Sequence, residues 1–447
     1  MNYTARIGIV ASVAIAAALT WSTSAVIAAE PAATASAPAA TRPVQPVADY
    51  GPPSDLDAHP LPPLPKLGPA GHIFTEPTFG YRILRVTDEK TLPDNRSFVV
   101  KYPGVMFNCD STRFYVCDVG SGSDIPFIFD PATLKAARTG DAIMSGRAYF
   151  SGTDADVIYG VNQGKHPNFV LKYSFTTQTY TQLLDVAKHV PGMKGGIGAV
   201  SISATEEVAL ECNGEGQDKY RTVLWCDLKT GKRQVLDTVD KTIDGKPMTE
   251  TNFWSGIHDV QILKGGRYVQ ICTNPTQGER GGNANLRSKA GYWFWDTRTG
   301  KCYFMPKEFD HWAAGYDCLV NKGYGILQLR TFGPDGMTEP VSLLPIKFPY
   351  DAHESWNNAQ SGKLLPVIVE TCRFGPASTS SAPYAPLDEE IFAVSTDGSK
   401  KVWRFAHDRI RDKNWFYGPN ISQDGRYCLF TSTWEDTLGK DSNGKPR

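Results

Sequence analysis

The sequence predicts an all-β protein, a seven-bladed β-propeller over residues 73–433 that is closed by pairing an N-terminal strand with the C-terminal blade. First, a strand–turn–strand unit recurs seven times, roughly every 40 to 60 residues. Second, 41 glycines and 11% aromatic residues suit many short strands and tight turns. Third, the last unit is too short for a complete blade, whereas an isolated strand precedes the first unit.

Each repeated unit consists of an apolar strand, a polar turn, a second apolar strand and a third strand that ends in another polar turn. The first turns lie at residues 109–113, 152–154, 204–206, 264–267, 321–323, 360–362 and 423–426. The later turns lie at residues 130–133, 176–178, 227–231, 296–300 and 395–398, and those at 227–231 and 296–300 are of the Asp-x-x-Thr-Gly type. Turn residues between alternating apolar segments indicate hairpins. Three or four antiparallel strands per unit are typical of a propeller blade.

Closure of the ring is predicted from the two ends of the repeat. The isolated strand at residues 80–87 is expected to pair with the final hairpin near residues 420–432, which removes two exposed sheet edges. A pair of β-sandwiches is the alternative fold. The segment after the last strand, residues 434–447, is predicted to be a flexible C-terminal tail.

The N-terminal segment has the pattern of a secretory signal peptide. Arg6 precedes an apolar run over residues 7–19, and small residues follow up to Ala29. A membrane anchor is the alternative, but the run is shorter than the roughly 20 residues that a spanning helix needs. We therefore expect a signal peptide over residues 1–29, a Pro/Ala-rich linker over residues 30–72, and a periplasmic or secreted mature chain without membrane insertion.

Composition excludes some function classes. Lys and Arg number 46 against 47 Asp and Glu, a net charge of −1, which argues against a nucleic-acid partner. Hydrophobic residues make up 41% of the chain, enough for a large core. Nine cysteines, mostly in apolar stretches, are expected as buried thiols, although one or two disulfides remain an alternative. We expect a monomer.

The final hairpin carries a family resemblance. Residues 421–432 read Ile-Ser-Gln-Asp-Gly-Arg-Tyr-Cys-Leu-Phe-Thr-Ser. This phrase resembles the hairpin of exported TolB-like propellers and of the oligogalacturonate lyase propellers. The likeness is strongest at residues 415–435 and weaker at 257–274. It implies an exported propeller, and in the lyases a histidine-rich metal site. The ligand spacing of that site is not reproduced in this sequence, so its residues are not carried over.

Three histidines stand near the predicted starts of the innermost strands in three successive units. They are His258, His311 and His353, and the adjacent acids are Asp259, Asp310 and Glu354. Convergent imidazoles suit a divalent metal, here Mn, Ca or Zn, or proton transfer near neutral pH. The alternative is that each histidine only hydrogen-bonds to a neighbouring blade. His407 is a candidate fourth member.

Aromatic and cationic residues are predicted at the same rim. Candidate substrate-binding residues are Trp254, Trp312, Trp356, Trp415, Arg280 and Arg373, and candidate catalytic residues are His258, His353, Arg330 and Tyr417. Tryptophan faces pack against sugar rings, and arginine matches carboxylates. Alternatively, the tryptophans fill gaps between blades and the arginines are solvated loop residues.

These observations lead to two hypotheses. In the first, the protein is an exported carbohydrate-active propeller, a polysaccharide or oligosaccharide lyase that acts by β-elimination on acidic, uronate-containing glycans at the central channel. A neutral histidine would remove the proton α to the uronate carboxylate, and a metal or arginine would stabilise the developing charge. In the alternative, it is a non-catalytic TolB-like propeller that binds a protein or glycan in the cell envelope. The sequence leaves open whether the protein is an enzyme.

Overall fold

The structure is a computed structural model, and it describes residues 47–145, 147–162, 164–190, 192–193, 196–213, 220–249, 257–273, 291–306, 312–323, 325–333, 336–347, 351–372, 383–410 and 418–447. These residues belong to one compact unit, Arg42–Arg447. Nearly all regular structure in them is β. The 3₁₀ turns are Val186–Lys188 and Trp434–Asp436. None of the helices in these ranges is long and apolar enough to cross a membrane.

The strands of the N-terminal half form a hairpin and three antiparallel sheets. The hairpin pairs β1 (Ile73–Thr75) with β2 (Arg82–Leu84). The first sheet contains β3 (Phe98–Val99), β4 (Arg113–Asp118), β5 (Ser123–Asp130), β6 (Lys135–Arg138) and β7 (Met144–Ser145). The second contains β8 (Tyr149–Phe150), β9 (Val157–Asn162), β10 (His166–Ser174) and β11 (Thr179–Asp185). The third contains β12 (Ile197–Ile202), β13 (Glu207–Asn213), β14 (Tyr220–Asp227), β15 (Arg233–Asp237), β16 (Thr242–Ile243) and β17 (Lys246–Pro247).

Three further sheets and a second hairpin follow. The fourth sheet contains β18 (Ile257–Ile262), β19 (Tyr268–Thr273), β20 (Gly291–Asp296) and β21 (Cys302–Pro306). The fifth contains β22 (Trp312–Ala314), β23 (Cys318–Gly323), β24 (Ile326–Gly333), β25 (Gly336–Met337) and β26 (Val341–Ser342). The sixth contains β27 (Asp351–Ser355), β28 (Val367–Cys372), β29 (Glu390–Val394) and β30 (Val402–His407). The C-terminal hairpin pairs β31 (Asn420–Ile421) with β32 (Cys428–Leu429).

The predicted turns follow from local hydrogen bonding. In the turn after β14, the Asp227 carboxylate accepts the backbone N–H of Lys229 (2.9 Å) and the hydroxyl of Thr230 (2.6 Å). Gly231 ends the turn at φ +71°, a left-handed conformation that glycine adopts without strain. Asp296 accepts from Arg298 in the same way (3.0 Å). An acid at the start of a turn and a glycine at its end therefore connect the third and fourth strands of these sheets.

Apolar side chains fill the spaces between successive sheets. One cluster joins the first and second sheets through Phe114 and Ile158, and the next joins the second and third through Val170 and Leu210. Further clusters lie between the third and fourth, fourth and fifth, and fifth and sixth sheets. Strands such as β20 are consequently buried on both faces. Sheets stacked face to face in chain order are the arrangement of a β-propeller.

The predicted blade number is wrong, and closure by the predicted strand is not confirmed. The structure has six blades of four or more strands rather than seven, because the seventh unit contributes only the hairpin β31–β32. The expected closing strand, β2, pairs with β1, as in Ile73 opposite Leu84. Within the described residues, no strand pair joins the two hairpins. A neighbour only a short loop away costs less chain entropy than a partner at the other end of the chain.

The C-terminal hairpin nevertheless lies between the sixth and first sheets. Ile421 packs with the sixth sheet, and Leu429 packs with the first. The Ile421 N–H donates to the Ser355 hydroxyl (3.1 Å), and the Met106 N–H donates to the Asn420 side-chain carbonyl (3.1 Å). Among the described residues, side-chain contacts therefore connect the C-terminal hairpin to the sixth and first sheets, and no backbone hydrogen bonds between paired strands do so.

Both chain ends of the described part are hydrogen-bonded to the propeller. We call residues 47–66 the N-terminal strap. Within it, Ser54 donates its N–H to the carbonyl of Val402 (2.8 Å), and the Trp403 indole donates to Gly51 (2.9 Å). At the other end, Ser97 donates to the carbonyl of Pro446 (2.8 Å). This portion of the predicted linker and the predicted tail therefore contact the sheets.

Candidate active site at the channel

One cavity is lined by a segment from or next to every sheet and from the C-terminal hairpin. Its lining includes Tyr102, Tyr149, Ser201, Gln261, Trp312, Ser355 and Asn420, taken in chain order. The volume of this cavity is about 50 Å³. This is enough for a few ordered waters. We call this cavity and its two ends the channel.

The inner strands place two of the predicted histidines at the same end of the channel. His258 is the second residue of β18, and His353 is the third residue of β27. Each strand begins beside the end of its neighbour, since Ile257 pairs with Thr273 and Asp351 pairs with Cys372. We call this the strand-start end. The side chain of His258 and the whole of His311 lie outside the described residues.

A charged cluster occupies the inner strands near His258. Arg147 Nη1 and Asp259 Oδ1 are 2.5 Å apart, which links the segment before β8 to β18. Gln261 Nε2 donates to the other oxygen of Asp259 (3.1 Å). Burial opposes the charge on Arg147, but Asp259, together with Tyr149 and Glu211, outweighs this effect and raises the pKa of the guanidinium. A quarter of the Arg147 side chain remains exposed, so part of its N–H fork can meet a ligand.

Glu211 on β13 belongs to the same cluster. It is 3% exposed, and its Oε2 accepts the backbone N–H of Ala199 (3.1 Å). Burial, together with the charge of Asp259, raises the pKa of Glu211 to about 8, although Ala199 and Arg147 oppose the shift. At neutral pH this carboxyl therefore holds its proton, whereas Asp259 is paired with a cation. Two acids in contrasting environments are a recurrent feature of acid–base sites.

His353 is embedded beside this cluster. Its ring stacks on Tyr102, with ring centroids 5.6 Å apart, and the Tyr102 hydroxyl accepts the N–H of Trp312 (2.9 Å). Gly418, at φ +88°, packs so closely that a Cβ there would lie 2.7 Å from the Cβ of His353. Burial, together with Glu354, raises the pKa of Tyr102. Opposite His353 on β28, burial raises the pKa of Glu370 to about 8.

The remaining predicted site residues fall in three places. Trp312 and Trp356 are buried, and the Trp356 indole donates to the carbonyl of Leu365 (2.9 Å), so their faces fill space between blades. Arg330 on β24 pairs with Leu319 on β23, which in turn pairs with Ala314, the last residue of β22. Arg330 therefore lies on the side of the fifth blade that is opposite to the strand-start end. The residues outside the described ranges are Trp254, Arg280, His311, Arg373, Trp415 and Tyr417.

The misplacement of Arg330 has a simple cause. The turn at residues 321–323 was predicted to join the first and second strands of its unit. In the structure, the first-to-second connection of that sheet lies at residues 315–317, and residues 324–325 join β23 to β24. Arg330 therefore belongs to the third strand rather than to a loop at the strand-start end. A short first strand, β22, with only three residues, provides little apolar pattern to detect.

His407 is not part of the channel site. Its Nδ1 lies 3.0 Å from Glu76 Oε1, and its Nε2 lies 3.2 Å from the carbonyl of His59. Phe79 stacks on the ring. His407 therefore anchors the loop between β1 and β2, and the strap, to the sixth sheet.

The described residues do not form a metal site. Over these ranges, no three His, Cys, Asp or Glu side chains converge as ligands. His353, the predicted ligand whose side chain is described, is buried against Tyr102 and Gly418. The expected Mn, Ca or Zn site depends on His258 and His311 and stays a prediction. No disulfide bond is present among the described residues, and most of the nine cysteines are buried.

Sequence reasoning missed Arg147, Glu211, Tyr102 and Gln261. Arg147 and Tyr102 lie in connections next to very short strands, so no periodicity marks them. Glu211 did leave a signal, because it is the single charged residue in the buried run 208–212, Val-Ala-Leu-Glu-Cys. A lone acid in an apolar strand indicates a group whose burial needs an explanation.

Comparisons with known proteins support the fold. No protein-family model matches the chain, and no curated protein does. The oligogalacturonate lyase of Vibrio parahaemolyticus is similar in structure, with a TM-score of 0.54, 13% identity, and coverage of 81% of this chain and 93% of that one. An oligogalacturonate lyase in complex with manganese is similar with a TM-score of 0.53 and 14% identity, and the match covers 81% of this chain and 92% of that one. TolB from Acinetobacter baumannii matches with a TM-score of 0.30, 13% identity and 56% of each chain, which is too low to argue from. The chain thus shares a β-propeller fold with oligogalacturonate lyases, and at these identities the likeness concerns the fold alone.

Proposed function

We propose that this protein binds an acidic oligosaccharide at the strand-start end of the channel and cleaves it by β-elimination. The observation that carries this proposal is the cluster of Arg147, Asp259 and Glu211 next to His258, in a fold similar to that of oligogalacturonate lyases. Clustered ionisable groups of contrasting environment in a concave site are candidates for catalysis.

The proposed chemistry needs a base and a cation. His258 directly precedes Asp259 on β18, and its neutral imidazole would remove the proton α to the uronate carboxylate. Arg147 would bind that carboxylate through the N–H groups that Asp259 does not use and stabilise the negative charge that develops there. Asp259 holds the guanidinium in place. The electron pair of the broken C–H bond forms the new C=C bond as the glycosidic C–O bond breaks.

A divalent metal is part of the same proposal but carries no step of it. The ligands would be His311 and His353 together with water; His258, which the sequence also suggests as a ligand, is kept as the base because a metal-bound imidazole cannot accept the proton, and the ion would neutralise the uronate carboxylate when bound. Support comes from the structure of an oligogalacturonate lyase in complex with manganese. Elemental analysis of the purified chain tests this part: we expect one Mn, Ca or Zn per chain, and its absence from a folded, active protein would contradict it.

We also propose that the chain is exported to the periplasm or secreted and acts as a monomer. The pattern over residues 1–29 supports export. N-terminal sequencing of protein recovered from the periplasm or medium should begin near residue 30. Recovery of an uncleaved chain from the membrane fraction would contradict this.

Formation of unsaturated product, followed by its ultraviolet absorbance, tests the lyase activity. Polygalacturonate, its oligosaccharides and other uronate polymers are the substrates to compare. Replacing His258 by Ala should lower kcat by about 10² to 10⁴-fold, because a positioned base is lost. Replacing His189 by Ala is the matched control: this histidine is partly exposed after Val186–Lys188, away from the channel, and its loss should change turnover less than about twofold. Circular dichroism checks that both variants fold.

Failure of the lyase assay has a defined meaning. No unsaturated product from any uronate polymer would contradict β-elimination. Binding of a glycan or of an envelope protein that persists in the His258→Ala variant, without turnover in the wild type, would favour the non-catalytic alternative.

A further inference from the structure

We infer that Glu211 donates the proton that the departing glycosidic oxygen takes up, an inference that rests on the proposed lyase function. Elimination leaves an alkoxide on the departing sugar, which is a poor leaving group unless it is protonated as the C–O bond breaks. The base that removes the α proton does not hold that second proton at the start of the reaction. A separate acid is therefore needed at the same end of the channel.

The position of Glu211 suits a donor. It lies near the end of β13, and the N–H of Ala199 on the adjacent inner strand β12 donates to its Oε2 (3.1 Å). Its Oε1 is buried and has no hydrogen-bond partner within the described residues. An oxygen that accepts an N–H does not carry the acid proton, so the proton belongs on Oε1. Within the described residues this O–H therefore has no acceptor, and a departing oxygen bound beside it would supply one.

Burial and one of the two charges that face Glu211 keep it protonated. In the described residues these are Asp259 from β18 and Arg147 from the segment before β8, and Cys212 is its sequence neighbour. Burial disfavours the carboxylate, and Asp259 repels a second negative charge, so the pKa of Glu211 rises to about 8. Arg147 opposes this shift but is already paired with Asp259 at 2.5 Å.

The proton balance of the step is complete. The base takes the α proton, the C–H electron pair becomes the C=C bond, and the C–O electron pair stays on the departing oxygen. That oxygen receives the proton from Glu211 Oε1 and leaves as a hydroxyl. Glu211 is left as a carboxylate and recovers a proton from water before the next turnover. Asp259 is less suited to this role because Arg147 and Gln261 donate to both of its oxygens.

The first test measures the proton directly. Infrared difference spectra of the wild type minus the E211Q variant, recorded from pH 6 to 9, should contain a protonated carboxyl signal that disappears with a midpoint near pH 8. The same difference taken with D130N, which replaces an exposed acid whose pKa is lowered by the hydroxyl of Thr133, should show no protonated carboxyl at pH 7. A Glu211 that is already ionised at pH 7 overturns the inference. If E211Q does not fold, E211M serves as the reference.

The second test uses the leaving group. On oligogalacturonates, E211Q should lose about 10² to 10⁴-fold in kcat. On a uronate bearing a nitrophenyl group at the position that departs, the loss should be less than about tenfold, because nitrophenolate leaves without a proton. The wild-type rate should fall above pH 8, and the E211Q rate should not. Equal losses on both substrates, or no loss on either, overturn the inference.

The failures of the two proposals are distinguishable. A wild-type protein that turns over no uronate contradicts the proposed function. The donor role of Glu211 falls with it, whatever the infrared titration shows about the protonation of this carboxyl. A wild type that is active while E211Q matches it contradicts only the inference.

Discussion

Arg404 shows how a single buried charge is held in this fold. Its Nε donates to Glu390 Oε2 (2.6 Å), its Nη2 donates to Glu390 Oε1, and its Nη1 reaches Asp55 (3.0 Å) and the carbonyl of Asp57 (2.8 Å). Both Arg404 and Glu390 are buried. Burial raises the pKa of Glu390 although Arg404 opposes the shift. The pair therefore depends on complete hydrogen bonding for its stability.

Replacing Arg404 by Met should lower the free energy of unfolding by about 3 to 5 kcal/mol, because Glu390 is left buried without its cation. Replacing it by Lys keeps the charge but loses the two-pronged contact, so the loss should be smaller. Urea unfolding at pH 7 measures both. Lys401→Ala on the neighbouring surface, where the ion pair with Asp49 is exposed, should change stability by less than about 1 kcal/mol. A similar effect of both variants would contradict this account.

Asp124 on β5 is a buried acid of a different kind. It is fully buried, and neither of its side-chain oxygens has a hydrogen-bond partner within the described residues. Burial raises its pKa to about 8, and Lys101 opposes this only in part. The folded protein therefore holds a proton that the unfolded chain releases above its ordinary pKa of 3.8. The contribution of Asp124 to the free energy of unfolding is therefore fully present below pH 3.8. It decreases as the pH rises towards 8, where the folded protein also loses this proton.

Replacing Asp124 by Asn should reduce the dependence of stability on pH. Between pH 5 and 8, the free energy of unfolding of the wild type should fall relative to that of the variant by on the order of 1 kcal/mol per pH unit. Urea unfolding at several pH values measures the difference. The variant Asp141→Asn, at an exposed position, should track the wild type. Parallel pH curves for wild type and D124N would show that Asp124 is ionised in the folded state.

At the scale of elements, the N-terminal strap covers the outer strand of the sixth blade. Its backbone pairs with Val402, its carbonyls accept from the Trp403 indole and from Arg404, and farther along Arg409 donates to Pro62 (3.0 Å). β30 would otherwise expose an unpaired edge. Proline is tolerated here because the strap uses few of its own N–H groups.

A chain that begins at residue 67 should be less stable than one that begins at residue 47. Removal of the strap exposes Trp403 and takes Asp55 away from Arg404, so the midpoint of thermal unfolding should fall by roughly 5 °C or more. Differential scanning calorimetry measures the midpoint, and tryptophan fluorescence reports exposure of Trp403. The chain that begins at residue 47 is the control, since it retains every contact described above. Equal midpoints would show that the strap adds no stability.

At the scale of the whole molecule, Asn420 joins elements from both ends of the propeller. Its side-chain carbonyl accepts the N–H of Met106, and its amide donates to the carbonyl of Gly104 (2.8 Å). The amide of Asn357, just after β27, donates to the same Asn420 oxygen (3.0 Å). One buried side chain thus connects the C-terminal hairpin to the first and sixth blades.

Replacing Asn420 by Ala should destabilise both blades together. Loss of several buried hydrogen bonds should lower the free energy of unfolding by about 2 to 3 kcal/mol. Hydrogen exchange should accelerate in β4 and β28 alike, because both blades lose the same connection. Asn443→Ala, an exposed substitution, is the control. Faster exchange in only one of the two blades would contradict a shared connection through Asn420.

The hairpin turns, the antiparallel strands and the propeller fold were predictable from the sequence. Asp227 and Gly231 show why: their turn is determined by the acid and the glycine in it, and neighbouring strands then pair antiparallel. The positions of His258 and His353 near the starts of inner strands followed from the same local pattern. Such features need only residues that are close in the chain.

The number of blades, the partner of β2 and the candidate site were decided by tertiary structure. β2 could pair with β1 or with the C-terminal hairpin. The smaller loss of chain entropy on forming the local hairpin favours β1. Arg147 and Asp259 are 112 residues apart, so no spacing rule connects them. Glu211 became an acid with a raised pKa only because packing buried it beside that pair. Local sequence determines turns and strands, whereas desolvation and contact between distant residues are set by the folded chain as a whole.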